Sequence, residues 1–163
     1  MQLATKELLD SLRQAADEVF SVMMGAAGGQ SGEPHESTPC DVQGDGPYDL
    51  EAAVSFSGTP SGVVLLRCCS QSAEGITRSL LMMEPDEEVE LEDIKDALGE
   101  CANMVTGSLK TKLLDPRGEY QLSTPTIDTC VDVEHEHQAG KLAYELTSGP
   151  VSIEIWLSEE CSD

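Results

Sequence analysis

The chain has 163 residues, of which 39% are hydrophobic and 25% charged, and this composition is sufficient for one globular domain with its own core. With 31 acidic residues against 9 basic ones, the formal net charge is -22 at pH 7. A chain this acidic lacks the basic surface that binding to nucleic acids or to anionic membranes requires. The charge would attract a basic surface on a protein partner, and solubility alone would also explain it.

No targeting or membrane segment is predicted from the sequence. The first residues lack the basic and apolar regions of a signal peptide, and no apolar run approaches membrane-spanning length. We therefore expect a cytoplasmic location. The six cysteines form no CxxC pair and no zinc-type spacing, so we expect reduced thiols at Cys40, Cys68, Cys69, Cys101, Cys130 and Cys161.

The first part of the chain is predicted to contain a helix, a loop and a β-hairpin. Residues 2–24 carry an apolar stripe at helical period, and Gly25 is a suitable stop. Residues 26–47 are rich in Gly, Ser, Pro and acids, which predicts a flexible loop within the same domain. Two β-prone runs, 50–57 and 62–68, flank the turn sequence 58–61 and predict a hairpin.

The second part is predicted to contain two helices followed by strands. A short helix capped by Ser70 or Ser72 should extend to Met83, and a longer amphipathic helix should cover 91–114, ending before Asp115-Pro116. An extended segment at 120–125 and strands at 127–135, 142–147 and 151–158 predict an antiparallel meander. This order predicts an α+β fold in which long amphipathic helices cover an antiparallel sheet, as a single domain over 1–163.

One face of the longer helix is polar. Asp96, Glu100 and Asn103 fall within an arc of about 60° around the helix axis, opposite an apolar stripe. Gly99 and Gly107 lie beside them, although glycine destabilises a helix by roughly 0.5–1 kcal/mol relative to alanine. We interpret the two glycines as places where another chain approaches closely. By periodicity alone, a solvated face and an interaction surface explain the pattern equally well.

The same stretch resembles the signature helix of the CheC/CheX/FliY chemotaxis phosphatases, with CheX closest. The pattern is Asp-x-x-x-Glu-x-x-Asn followed by Met-x-x-Gly, from Asp96 to Gly107. The hairpin, the segment 122–126 and the closing strands also resemble the CheX layout. The resemblance implies a protein phosphatase, a hydrolase that removes the aspartyl phosphate from a phosphorylated CheY-like response regulator in two-component signalling.

The resemblance also implies roles for individual residues. Glu100 would pair with the active-site lysine of the regulator, Asn103 would orient the attacking water, and Asp96 would support them. Mg²⁺ would be held by the regulator, and this chain would bind no cofactor itself. CheC-type relatives carry a second motif copy on the first helix, but Gln14, Glu18 and Ser21 depart from it, which implies one competent site. CheX-like proteins are commonly homodimers that pair through their sheets.

Two alternative functions are left open by the sequence. A non-catalytic CheX-like module would bind a response regulator, or a signalling or flagellar-switch protein, without hydrolysis. A metal-dependent protein would use His135 and His137, which fall on one face of a predicted strand. Nucleophilic catalysis by Cys101 is disfavoured because this residue projects towards the apolar side of its helix. The cognate regulator, and the choice between chemotaxis and another two-component pathway, are not determined by the sequence.

Overall fold

The structure is a computed structural model that describes residues 5–24, 49–129, 131, 133, 136–146 and 148–158. The loop predicted at 26–47 lies outside the described residues. The helices are α1 Thr5–Met24, α2 Ser70–Leu80 and α3 Leu91–Leu109, and α3 continues through a π-helical turn, Lys110–Leu114, into a 3-10 turn, Asp115–Arg117. The strands are β1 Asp49–Ser57, β2 Gly62–Cys69, β3 Gln121–Leu122, β4 Thr126–Asp128, β5 Glu136–Leu146 and β6 Gly149–Ser158.

The predicted β-hairpin is confirmed as β1 and β2, which pair in antiparallel register. Its turn is closed by the side chain of Ser61. The Gly58 N–H donates to Ser61 Oγ at 3.1 Å, and Ser61 Oγ donates to the Gly58 carbonyl at 2.7 Å. The turn predicted at 58–61 therefore joins the two strands, as the turn residues in the sequence indicated.

The two helices after the hairpin differ from their predicted ends. The N-cap of α2 is Cys69 and forms no side-chain cap hydrogen bond, so the prediction of a serine cap is wrong. The helix ends at Leu80, before Met83. Helix α3 begins at the predicted residue, but helical structure continues past Asp115, because Pro116 lies in the first turn of the 3-10 segment. A proline there has no helical hydrogen bond to lose.

The six strands form one sheet in the order β3-β1-β2-β6-β5, and β4 also pairs with β1. All the described pairings are antiparallel. The closing hairpin of β5 and β6 joins the first hairpin at β2, whereas β3 and β4 lie on the other side of β1. The sheet is therefore not the predicted meander. The strand predicted at 127–135 is represented by β4 alone; residues 130, 132, 134 and 135 lie outside the described ones.

The helices pack on one face of the sheet, which we call the helix face. Leu8, Leu12 and Phe20 of α1 are buried there, and the Phe20 ring lies 5.0 Å from the ring of Tyr144 on β5. The opposite, outer face carries a smaller apolar cluster of Ala53, Val63 and Leu65, packed against Val131 and Trp156. The predicted α+β architecture is confirmed. None of the described helices is both long and apolar enough to cross a membrane.

Candidate functional site

The polar face of α3 is exposed along most of its length. Asp96, Glu100 and Asn103 are exposed, and the exposed Glu92 extends the same stripe towards the beginning of the helix. The apolar side is fully buried and includes Leu98, Cys101, Ala102 and Val105. Because that side packs into the core, the helix holds the three polar side chains on a rigid support. The structure thus brings the three predicted site residues to one accessible surface.

This stripe concentrates negative charge. Glu92, Asp96 and Glu100 follow one another at intervals of four residues, a spacing at which like charges are neighbours. Within the part of the chain that the structure describes, none of the three belongs to an ion pair. The Asn103 side chain likewise has no hydrogen-bond partner among the described residues. These groups are therefore available to a ligand.

The structure corrects the interpretation of Gly99. This glycine is buried, and a Cβ atom there would lie 3.1 Å from Ile127 Cδ1 and 3.3 Å from Pro125 Cβ. The chain that approaches Gly99 closely is this chain itself, at the edge of its own sheet. The expectation that a partner approaches at position 99 is therefore wrong.

Gly107 has the opposite surroundings. A Cβ atom at this position would have no neighbour within 4 Å. Internal packing therefore does not explain the glycine, and close approach of a partner at Gly107 stays a prediction.

The surroundings of Cys101 make it unsuitable as a nucleophile. Its side chain is fully buried, and burial raises the pKa of the thiol to about 12, with the Glu100 carboxylate adding to the effect. A thiol with such a pKa is protonated at neutral pH and is a poor nucleophile. The prediction from its position on the helix is confirmed.

The face of α1 on which a second motif copy was expected by resemblance forms contacts within the chain. Glu18 accepts hydrogen bonds from Lys112 Nζ at 2.7 Å and Ser108 Oγ at 3.0 Å. These two bonds, and then the charge of Lys112, lower the pKa of Glu18. An open depression of about 590 Å³ adjoins this pair and is lined by Gln14, Asp17, Glu18, Ser21, Val22 and Lys112. Sequence reasoning did not identify Ser108 and Lys112 as partners of Glu18.

The proposed histidine site is not assembled by the described residues. His137 is exposed on β5, and His135 lies outside the described ones. In the described segments, no group of three or more His, Cys, Asp or Glu residues could hold a metal ion. The chemistry that the described site offers is a carboxylate and a carboxamide on adjacent turns of one helix. A carboxylate can pair with a cation, and a carboxamide can bind water as both donor and acceptor.

Comparison with known proteins gives the family of this chain. The model of the family described as chemotaxis phosphatase CheX matches residues 50–147, which is more than half of the chain. The chain belongs to the CheX family. The matched region contains the whole of α3 and therefore the polar stripe. No curated protein matches the chain by sequence.

Solved structures of other family members have the same fold. A CheX protein from Vibrio vulnificus has a TM-score of 0.72 at 18% identity, covering 96% of this chain and 100% of that one. A CheX protein from Desulfovibrio desulfuricans has a TM-score of 0.69 at 22% identity, covering 93% and 99%. A chain in the CheX-CheY-BeF3-Mg²⁺ complex from Borrelia burgdorferi has a TM-score of 0.66 at 15% identity, covering 93% and 97%.

Proposed function

We propose that this CheX-family protein hydrolyses the aspartyl phosphate of a CheY-like response regulator. The observation that carries the proposal is the exposed pair of Glu100 and Asn103, held one turn apart on a helix whose other side is buried. The name of the family supports phosphatase activity, and the CheX-CheY complex from Borrelia burgdorferi supports a CheY-like partner. Homodimerisation and a cytoplasmic location stay predictions.

Glu100 would dock the regulator. Like charges at a spacing of four residues destabilise a helix by about 0.2–0.5 kcal/mol per pair. A cation from the partner, such as an active-site lysine, relieves the repulsion among Glu92, Asp96 and Glu100 when it binds to the stripe. Asp96 would then act as a support that adds to the local field rather than as a reacting group.

Asn103 would position the attacking water. Its amide can accept a hydrogen bond from the water and donate one to a phosphoryl oxygen, and it adds no negative charge beside an anionic group. The water oxygen attacks phosphorus while the bond from phosphorus to the aspartate oxygen breaks, which yields free aspartate and inorganic phosphate. Phosphoryl transfer passes through a loose transition state. The main contribution of the protein to the rate is therefore alignment of the attacking water. Mg²⁺, held by the regulator, would neutralise the phosphoryl charge.

The decisive experiment measures phosphate loss from a purified CheY-like regulator of the same organism, phosphorylated by acetyl phosphate, with and without this protein. We expect faster loss with the natural protein and a reduction of that acceleration by at least about 100-fold in Asn103→Ala, because a misplaced nucleophile carries a penalty of this size. Glu100→Gln should weaken binding of the regulator. Glu88→Gln is the matched control, since it removes the same charge from an exposed residue that lies before α3, outside the polar stripe.

Two outcomes would reject the proposal. Binding of the regulator that leaves its dephosphorylation unchanged would select the non-catalytic module. Acceleration that survives in Asn103→Ala would assign hydrolysis to other residues.

A further inference from the structure

The edge of the sheet beside α3 contains a β-bulge. β3 and β4 both pair with β1 and are two parts of one edge strand. The pairs on either side of the interruption are Phe56 with Leu122, Ser55 with Ser123, and Ala53 with Thr126. One residue of β1, Val54, therefore lies opposite two residues of the edge strand, Thr124 and Pro125, and this is the bulge. Bulges of this kind redirect side chains and are frequent beside active sites.

The edge strand has one more residue than β1 across the bulge, and this extra residue determines which of its side chains face α3. Leu122 and Ile127 both pack against the core on the helix face, although they are five positions apart in the sequence. A regular strand would place them on opposite faces, because its side chains alternate. The bulge restores the alternation and leaves Thr124 and Pro125 opposite Val54, whose side chain is buried on the helix face. Thr124 is therefore on the side of the sheet where α3 lies, and it is exposed.

Gly99 brings this bulge against the functional helix. A Cβ atom at position 99 would lie 3.1 Å from Ile127 Cδ1 and 3.3 Å from Pro125 Cβ, so the absence of a side chain lets these two residues pack closely against the helix. Pro125, the neighbour of Thr124 in the bulge, is therefore the residue of the bulge that packs against α3 at Gly99. Around the helix axis, Asn103 is about 40° from Gly99. The bulge thus borders the side of the helix that carries Asn103.

The bulge is held in place from its other end by Ser123. The Ser123 N–H donates to the Ser55 carbonyl at 2.9 Å, and Ser123 Oγ accepts from the Ser55 N–H at 2.9 Å. The same hydroxyl donates to the Thr124 carbonyl at 3.0 Å. These hydrogen bonds join the bulge to β1 through Ser123, the residue next to Thr124.

We propose that Thr124 and Pro125 form a second wall of the docking surface, in contact with the response regulator, and that Gly99 is the positioning residue for this wall. This inference rests on the proposed function. A regulator that receives Asn103 in its active site must cover the neighbouring surface, and on the Asn103 side that surface is the bulge. The wall contributes affinity and selects among regulators, while hydrolysis depends on Asn103.

A charge-matched pair of variants tests the wall. Thr124→Glu places a carboxylate at the wall, whereas Thr126→Glu places the same charge two residues away, opposite Ala53 on the outer face. Binding is measured with the CheY-like regulator activated by beryllofluoride and Mg²⁺. We expect the Kd to rise about tenfold for Thr124→Glu, equivalent to about 1.4 kcal/mol. Thr126→Glu should bind like the natural protein. Equal Kd values for the two variants would overturn the proposal.

The positioning role of Gly99 has a separate test. Gly99→Ala pushes on Pro125 and Ile127, so the KM for phosphorylated regulator should rise at least about threefold while kcat stays unchanged. Ile127→Val removes Cδ1, the nearest atom, and should lower the raised KM only in part when combined with Gly99→Ala, because Pro125 Cβ would still lie 3.3 Å from the added methyl group. An unchanged KM in Gly99→Ala would contradict this role.

The wall and the proposed function fail in different ways. If Asn103→Ala abolishes dephosphorylation but Thr124→Glu binds normally, the wall is wrong and the phosphatase stands. If the natural protein neither binds nor dephosphorylates any CheY-like regulator of its organism, both are wrong.

Discussion

Gly99 and Gly107 lie two turns apart on α3 but have opposite surroundings. At position 99 a Cβ atom would meet Ile127 and Pro125, whereas at position 107 it would meet nothing within 4 Å. The first glycine is explained by packing within this chain. Packing within the described part of the chain does not explain the glycine at position 107, so Gly107 stays a candidate for contact with a partner.

Gly107→Ala should therefore stabilise the protein. Alanine lowers the free energy of a helix interior by roughly 0.5–1 kcal/mol relative to glycine, and the space at position 107 admits the methyl group. Urea unfolding measures the gain. Gly99→Ala is the comparison, and it should lack this gain because its methyl group meets Pro125. If a regulator approaches at Gly107, the stabilised variant will bind it more weakly. A loss of stability in Gly107→Ala would contradict the structure.

Glu154 is a buried carboxylate on the outer face of the sheet, with a relative exposure of 3%. Arg67 Nε lies 2.9 Å from its Oε2, and Gln138 Nε2 donates to its Oε1 at 2.6 Å. Burial raises the pKa of Glu154, and Glu51 adds to this, outweighing the attraction of Arg67 and Lys141. Neutralising one partner of such a buried cluster changes stability in a pH-dependent way.

Glu154→Gln should become more stable relative to the natural protein as pH rises from about 4 to about 7. A raised pKa means that the folded state binds the proton more tightly, so ionisation of Glu154 above the ordinary glutamate pKa reduces stability. The glutamine variant has no such loss. Urea unfolding of both proteins across this range measures the difference, with the exposed Glu119→Gln as the charge control. A relative stability that falls with rising pH would reject this account.

At the scale of elements, α1 is joined to the end of α3 by a polar contact. The π-helical turn Lys110–Leu114 buries Leu113 and Leu114 and lets Lys112 reach Glu18 on α1. The resemblance to CheC-type proteins would put a second motif copy at this position, where Ser21 stands in place of the asparagine. A glutamate already paired within its own chain is a poor docking group, which supports the prediction of one competent site.

Lys112→Gln should raise the pKa of Glu18 towards its ordinary value, because the hydrogen bond from Lys112 is the main cause that lowers it. A lowered pKa in the folded state stabilises the fold above the ordinary glutamate pKa, and this contribution disappears as pH falls through the lowered value. Carbon-13 NMR titration of the Glu18 carboxyl group measures the change. Lys110→Gln is the control, since Lys110 pairs with Asp115 at 3.0 Å. An identical titration in both variants would exclude the pairing.

At the scale of the whole molecule, α1 is part of the common core. Phe20 is fully buried and contacts Tyr144 of β5, whose hydroxyl donates to Asp17 of α1 at 3.1 Å. The first helix and an edge strand of the sheet therefore depend on each other, although more than a hundred residues separate them. The single-domain organisation over 1–163 stays a prediction that the next experiment bears on.

Phe20→Ala should destabilise the protein by about 3–5 kcal/mol, the usual consequence of removing a buried aromatic ring. Unfolding in urea should remain one cooperative transition when it is followed by both circular dichroism and tryptophan fluorescence. Val22→Ala on the same helix is the control, because Val22 is 75% exposed and its change should stay within about 0.5 kcal/mol. Loss of α1 in a separate early transition would show that it folds independently of the sheet.

Features that depend on neighbours along the chain were predictable from the sequence. The first hairpin, the starting residue of α3 and the burial of Cys101 followed from turn residues and from apolar periodicity. The exposed face with Asp96, Glu100 and Asn103 followed from helical spacing, and the motif on it was sufficient to indicate the CheX family. The period of a helix or strand reports which side is buried, and local sequence determines that period.

Only the tertiary structure decided which elements meet. It placed β6 beside β2 instead of in a meander, gave Glu18 a partner in Lys112, and set Pro125 against Gly99. One clue to the bulge was present in the sequence, since Leu122 and Ile127 are an odd number of residues apart, but it has meaning only once both are known to face α3. Periodicity shows that a side is buried without showing what buries it, because that choice depends on how all the elements pack into one core.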